Sequence, residues 1–195
     1  MAPVTQAKSK LLLVAANPIG TSRLSLDREI REIELAILKS TTRDAIEIRK
    51  FQGLRVADLK HELLTYKPTH VHFCGHGNFE GIALVDENDY TQLVTFGALA
   101  KLLSLFAGQI DCVFLNACYS AGQSRSISQY IPNVICMNGP VPDDVALRFA
   151  VDFYEGIGEG KGVDFSFKWA LASMGLYGPE PGHIPALFTK AGQQP

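Results

Sequence analysis

Two short segments hold residues that could do covalent chemistry, His72-Phe73-Cys74-Gly75-His76-Gly77 and Leu115-Asn116-Ala117-Cys118-Tyr119-Ser120. Each follows an apolar stretch that reads as a β-strand and runs out into small residues. Ending a strand on Gly-His-Gly gives up packing so that another backbone or a ligand can come close. His76 and Cys118 therefore read as a base and a nucleophile. A free thiol with a pKa of about 8.5 is only slightly ionised at neutral pH, so an imidazole within reach helps by taking its proton or by stabilising the thiolate. The separation, 118 − 76 = 42 residues, leaves room for one crossover between adjacent parallel strands. Taken singly, Gly75 and Gly77 could be plain loop glycines and Cys118 an inert core cysteine. The two segments together favour catalysis.

A competing constellation runs along the same strand. His70, His72, Cys74 and His76 alternate, so an extended chain puts all four on one face, as a metal site would need. Side chains at i to i+6 span about 20 Å at about 3.3 Å per residue, however, and at most two neighbours could share an ion without ligands from elsewhere. His70, His72 and Cys74 are expected to be structural, no metal or cofactor is expected, and a zinc hydrolase ranks third among the functional readings. Asp143 and Asp144 follow Gly139-Pro140-Val141-Pro142 and are candidates for a substrate-facing loop, with helix capping as the simpler account. Asn17 to Arg23 could cradle an anion or form a turn, but lacks a dinucleotide or P-loop fingerprint.

The elements that must position these residues alternate between β-type runs and helical patterns, the signature of an α/β domain with a mainly parallel sheet. Six strands are expected, near 10–15, 45–51, 70–74, 111–116, 133–137 and 184–188. Leu26, Ile30, Ile33 and Ile37 recur at helical spacing, with Asp27 and Glu29 in the first turn where the helix dipole favours acids. Further helices are expected over 56–66, 96–106 with Thr95 as N-cap, 143–154 and 164–174. Residues 79–94 read as an inserted β-hairpin flanking the cleft, turning around Asp86-Glu87-Asn88-Asp89. The glycine-rich stretch 156–162 reads as a mobile or sharply turned linker.

Histidine first, then a cysteine directly preceded by alanine, is the order found in caspase-like cysteine peptidases, where the histidine lies about 50 residues upstream. The chain resembles that group, and most closely its bacterial branch, the CHAT domain. The resemblance spans about residues 11–188 and rests on the Asn17-Pro18 loop, His72-Phe73-Cys74-Gly75-His76-Gly77, Leu115-Asn116-Ala117-Cys118 and the segment 149–154 before the last helix. It implies a caspase-like three-layer sandwich with helices on both faces of the sheet. It also implies the strand order 2-1-3-4, which would let His76 and Cys118 meet beyond the carboxyl ends of neighbouring strands, where open parallel sheets gather ligands.

The resemblance further assigns the oxyanion hole to the backbone amides of Gly77 and Cys118. Glycine suits position 77, since a side chain would crowd a carbonyl brought up to its amide, and one such donor is worth about 3 to 4 kcal/mol in other enzymes. Asn116 stands where caspases usually have glutamine and where metacaspases, with Asp-Ser-Cys-His-Ser-Gly, have an aspartate that helps bind a basic substrate residue. Asparagine removes that charge, so neither group's preference carries over. Asn116 is a candidate pocket residue, with a local hydrogen-bonding role as the alternative.

At 195 residues and 47% hydrophobic, without repeats or low-complexity stretches, the chain is long enough for one buried core. The expected organisation is a poorly ordered segment 1–9, one domain over 10–190 and a tail from 191 to 195. A net charge of −2 with scattered Lys and Arg gives no electrostatic footprint for nucleic acid or an anionic membrane. The first residues lack a secretory apolar stretch and the run 11–16 is too short to span a bilayer, so a cytoplasmic protein with Cys74, Cys112, Cys118 and Cys136 as reduced thiols is expected. The resulting expectation is a cysteine endopeptidase acting on protein or peptide, a regulated effector in bacterial defence or cell-death signalling. The resemblance implies a sensor or activating partner, and the sequence leaves oligomerisation open. The alternative is a catalytically silent CHAT module that signals by assembly.

Overall fold

The alternation of β-type runs and helical patterns resolves into a sheet covered on both faces. The computed structural model describes residues 9–21, 26–117, 121–177, 184–190 and 192–194. In chain order these form β1 (Ser9–Ala16), α1 (Leu26–Lys39), β2 (Ile46–Gln52), α2 (Val56–Thr65), β3 (His70–Gly75), β4 (Gly81–Val85), β5 (Thr91–Thr95) and α3 (Phe96–Ser104). They continue with β6 (Cys112–Asn116), α4 (Ala121–Ser128), β7 (Asn133–Met137), α5 (Asp143–Gly158), α6 (Val163–Met174), β8 (Pro185–Thr189) and β9 (Gly192–Gln194).

The main sheet runs β2-β1-β3-β6-β7-β8-β9, parallel from β2 to β7 and antiparallel at β8 and β9, while β4 and β5 form a separate antiparallel hairpin. The expected order of the first four sheet strands is therefore found. Side-chain alternation divides the core in two. Leu12, Val14, Val71, Phe73, Val113 and Leu115 face a layer of α2, α3 and α4. Leu11, Leu13, Cys74, Cys112, Phe114 and Ile135 face α1, α5 and α6. This is the expected three-layer α/β sandwich, and β3, β6 and β7 are buried on both sides because each lies between two strands and two helical layers.

Several boundaries follow local chemistry. Thr95 caps α3 as expected, its hydroxyl accepting from the Ala98 amide at 3.2 Å. The N-cap of α5 is Pro142, which has no capping side chain, so Asp143 and Asp144 occupy the exposed first turn instead of the cap.

The glycine-rich linker is corrected in part: the chain does turn between α5 and α6, with Gly160 at a φ of +71°, but the first residues of the stretch are helical. α5 runs on to Gly158, and its glycines are there for helix packing: a Cβ on Gly156 would stand 2.6 Å from Ser166 Oγ and 2.9 Å from its Cα, and one on Gly158 would stand 2.7 Å from the Ser40 side chain. Close approach of α6 and of the end of α1 excludes any side chain, so two glycines that weaken a helix in isolation are retained within it. β9 lies within the stretch read as a tail, and α4, a run of small polar residues with Ile127 buried, has no apolar periodicity by which to detect it. No helix among the described residues is long and apolar enough to cross a membrane.

Candidate active site

The parallel register of β3 and β6 pairs Cys74 with Asn116. The chain leaves the sheet just beyond each, into His76 on one side and Ala117 on the other. Cys118, with its amide, lies outside the described residues. A cavity of about 460 Å³ opens at this edge, and His76, Gly77 and Asn116 line it together with Glu29 of α1 and Asp143 and Asp144 of α5. All the described site residues expected from the sequence thus share one cavity, of a size typical for ligand sites.

The histidine loop is held from two directions. Gly75 has a φ of +156°, and a Cβ there would meet the Ala16 carbonyl oxygen at 2.6 Å. The close approach that a glycine was expected to permit is therefore, at position 75, the end of β1. On the other side the hairpin clamps the loop: the His76 carbonyl accepts from the Ala83 amide at 2.9 Å, and Gly77 bridges Ile82. Asn78 Oδ1 accepts from the Glu80 and Gly81 amides and closes the turn into β4. His76 itself is partly exposed.

Beneath the cavity lies a buried polar network that the sequence reading missed. Glu29 Oε1 accepts from Asn116 Nδ2 at 2.6 Å and lies 2.9 Å from His72 Nε2. His72 Nδ1 in turn lies 3.2 Å from the Tyr154 hydroxyl. One tautomer fits both contacts, with Nε2–H donating to the carboxylate and Nδ1 accepting from the phenol. The Cys74 thiol also donates to Glu29, and burial together with that carboxylate pushes the thiol well above its ordinary range. Full burial likewise pushes the Tyr154 phenol far up, which keeps it a donor.

The histidine-cysteine strand resolves accordingly. His72 is fully buried and structural, as expected, and His70 sits at the opposite end of β3 with Nδ1 3.0 Å from Thr69 Oγ1. Burial holds the His70 imidazole below its usual range. Glu29, His72 and Cys74 place one potential metal-ligand atom each within 4.8 Å of one another. Two come from one strand and the third from α1, the limit that strand geometry sets. Their hydrogen-bonding atoms are already engaged with one another, with Asn116 and with Tyr154. Burial also pushes the Cys112 thiol up, and that of Cys136 to about 12, so none of the three described thiols is primed as a nucleophile. The described part of the loop after β1 forms a turn, with Thr21 donating through both its amide and its hydroxyl to the Pro18 carbonyl.

The fold has known counterparts. The structure matches a secreted C11 cysteine protease from Bacteroides thetaiotaomicron, solved with an irreversible peptide inhibitor, with a TM-score of 0.69 and 13% identity over 94% of this chain and 66% of that one. It matches the Drosophila initiator caspase Dronc with a TM-score of 0.59 and 7% identity, over 96% of this chain and 84% of that one. Among curated sequences, a Roc-COR-CHAT protease from an unknown prokaryotic organism is 25% identical over 88% of this chain and 17% of its own length. A probable protease of Gillisia limnaea is 20% identical over 90% of this chain and 32% of its own. The chain thus spans about a sixth and a third of the length of these two relatives. The CHAT domain family matches residues 2–174, and the chain belongs to that family.

Proposed function

We propose that the chain is a cysteine endopeptidase that hydrolyses peptide bonds with Cys118 as nucleophile and His76 as base, the Gly77 and Cys118 amides stabilising the oxyanion. The observation that carries this reading is the placement of His76, Gly77 and Asn116 around one cavity at the carboxyl edge of adjacent parallel strands, with Asn116 two residues before Cys118 in the chain. Two protease-named relatives that align along most of the chain support it.

In this mechanism the imidazole of His76 takes the thiol proton, and the sulfur attacks the substrate carbonyl. The imidazolium then protonates the departing amine, and water hydrolyses the thioester. A loop clamped at its backbone, with His76 partly exposed, suits a base that must meet substrate. The biological reading is a cytoplasmic effector in bacterial defence or cell-death signalling, switched on by a sensor or activating partner, in keeping with the far greater length of both relatives. A peptide-library cleavage assay on the wild type beside Cys118→Ala and His76→Ala tests the activity. Internal cleavage lost in both variants supports the reading; cleavage surviving in either contradicts it.

A further inference from the structure

The charged groups of the cavity point to its guest. Glu29 is a buried acid on α1, and its side chain keeps 11% of its surface open. Glu29 lines the cavity. Its Oε1 takes donors from His72 and Asn116, and Cys74 donates to the same group. A carboxylate has about four lone-pair directions, so one acceptor position remains for a donor entering from the cavity. The Asn116 amide must turn its nitrogen to the carboxylate, because a carboxylate only accepts, and Asn116 thereby fixes the carboxylate's orientation. Position 116 is neutral, yet it presents a negative charge borrowed from α1.

The rim has the same sign. Asp143 and Asp144 line the mouth exposed; Asp144 lies 3.8 Å from Arg148, and Arg28 is the one lysine or arginine among the described residues of the wall. With Asp144 set against Arg148, Glu29 and Asp143 still outnumber Arg28 and disfavour an acidic guest, and the deepest charge of the set is an acceptor in partly desolvated surroundings.

We propose that this cavity is the specificity pocket for the substrate residue on the amino side of the cleaved bond, and that it takes the cationic side chain of arginine or lysine. Glu29 is its counter-ion, and Asn116 is the positioning residue that orients that carboxylate. The inference rests on the peptidase reading above. A guanidinium fits well, since it brings several donors in a planar fork to one carboxylate, and a neutral side chain would leave the buried acceptor unmet.

The test compares alkylation of Cys118 by peptidyl acyloxymethyl ketones with arginine, leucine or aspartate at the first position, read by intact mass. It is paired with binding of agmatine, a free guanidinium ligand, to the Cys118→Ala protein. The arginine probe is expected to react at least about tenfold faster than the other two, and Glu29→Gln to lower the arginine-to-leucine ratio by about tenfold or more. A ratio is unaffected by how much of a variant is folded, so a purely structural role for Glu29 would leave it unchanged. Agmatine binding is expected to weaken by about tenfold in Glu29→Gln on the Cys118→Ala background.

Leucine or aspartate probes reacting as fast as arginine would overturn the specificity inference while the peptidase stands. No reaction with any probe, alongside Glu29-dependent agmatine binding, would overturn the peptidase and keep the cation pocket. Should Glu29→Gln fail to fold by circular dichroism, the wild-type ratio and the exposed Asp143→Asn variant decide: a drop of about twofold or more in that variant supports the inference, and an arginine-to-leucine ratio near one overturns it.

Discussion

Replacing Tyr154 by phenylalanine removes one oxygen atom from the buried network and leaves the ring packing in place. Tyr154 stacks on Phe114 with centroids 6.4 Å apart and meets Phe153 edge-on at 5.0 Å, contacts that phenylalanine keeps. What is lost is the donor to His72 Nδ1, in a residue with no exposed surface. Leaving a buried acceptor unmet costs about 1 to 3 kcal/mol, so Tyr154→Phe should destabilise by that amount. The consequence should reach the cavity, because His72 and Asn116 converge on the same Glu29 oxygen. Asn116→Ala should therefore couple to Tyr154→Phe by at least about 0.5 kcal/mol in a double-mutant cycle. Tyr66→Phe is the control: its hydroxyl donates to the Glu47 carbonyl at 2.9 Å, outside this network, and its effect should add to that of Asn116→Ala within about 0.5 kcal/mol. Equilibrium urea unfolding followed by circular dichroism measures all five variants. Additivity of Tyr154→Phe with Asn116→Ala, or a loss below about 0.5 kcal/mol for Tyr154→Phe alone, would refute the network as described.

Other expectations concern packing, pH and thiol chemistry. Gly156→Ala should destabilise by about 1 to 3 kcal/mol through the clash with Ser166, whereas Gly97→Ala, with nothing within 4 Å of the new methyl, should be neutral or stabilise by up to about 1 kcal/mol; denaturation midpoints distinguish them, and equal effects would contradict the packing account. Burial, then Glu155, pushes the Asp152 carboxyl from 3.8 to about 6, against the pull of Arg148, and its Oδ2 has no hydrogen-bond partner. The folded state thus keeps a proton that the unfolded chain releases, and stability is lost as pH rises from about 4 through about 6. At about 1.36 kcal/mol per tenfold the ceiling is about 3 kcal/mol, which partial exposure reduces to about 1. Asp152→Asn should therefore stabilise by about 1 kcal/mol at pH 7.5 and by almost nothing at pH 4, and an equal gain at both would contradict this assignment. Cys74, Cys112 and Cys136 should resist iodoacetamide in the folded protein and react in urea, as mass mapping of the alkylated sites would show.

The parts legible in the sequence were those with a period or a motif. Short apolar runs marked the strands, the Leu26–Ile30–Ile33–Ile37 stripe marked α1, and the two small-residue strand ends marked the cavity. Glu29 was visible only as an acid in a first turn, although it sits three residues after Leu26 and four before Ile33, on the same helical face. A charge placed on a buried face was the available signal, but its partners, His72 and Asn116, lie 43 and 87 residues away and meet it only through sheet order. The glycines of α5 misled for a related reason. Their composition reads as a loop, and only the approach of α6 and Ser40 shows that the missing side chains make room for neighbours. Nothing in α4 distinguishes its small polar residues from a loop before β7.

The most direct test of the account is the pH dependence of Cys118 alkylation by iodoacetamide, in the wild type and in His76→Ala. If His76 primes the thiol, Cys118 should react below the pH at which a free thiol ionises, about 8.5, and His76→Ala should slow it by about tenfold or more at pH 7. Equal rates in the two proteins, with the ordinary thiol titration in both, would contradict the claim that this histidine and this cysteine act as a pair.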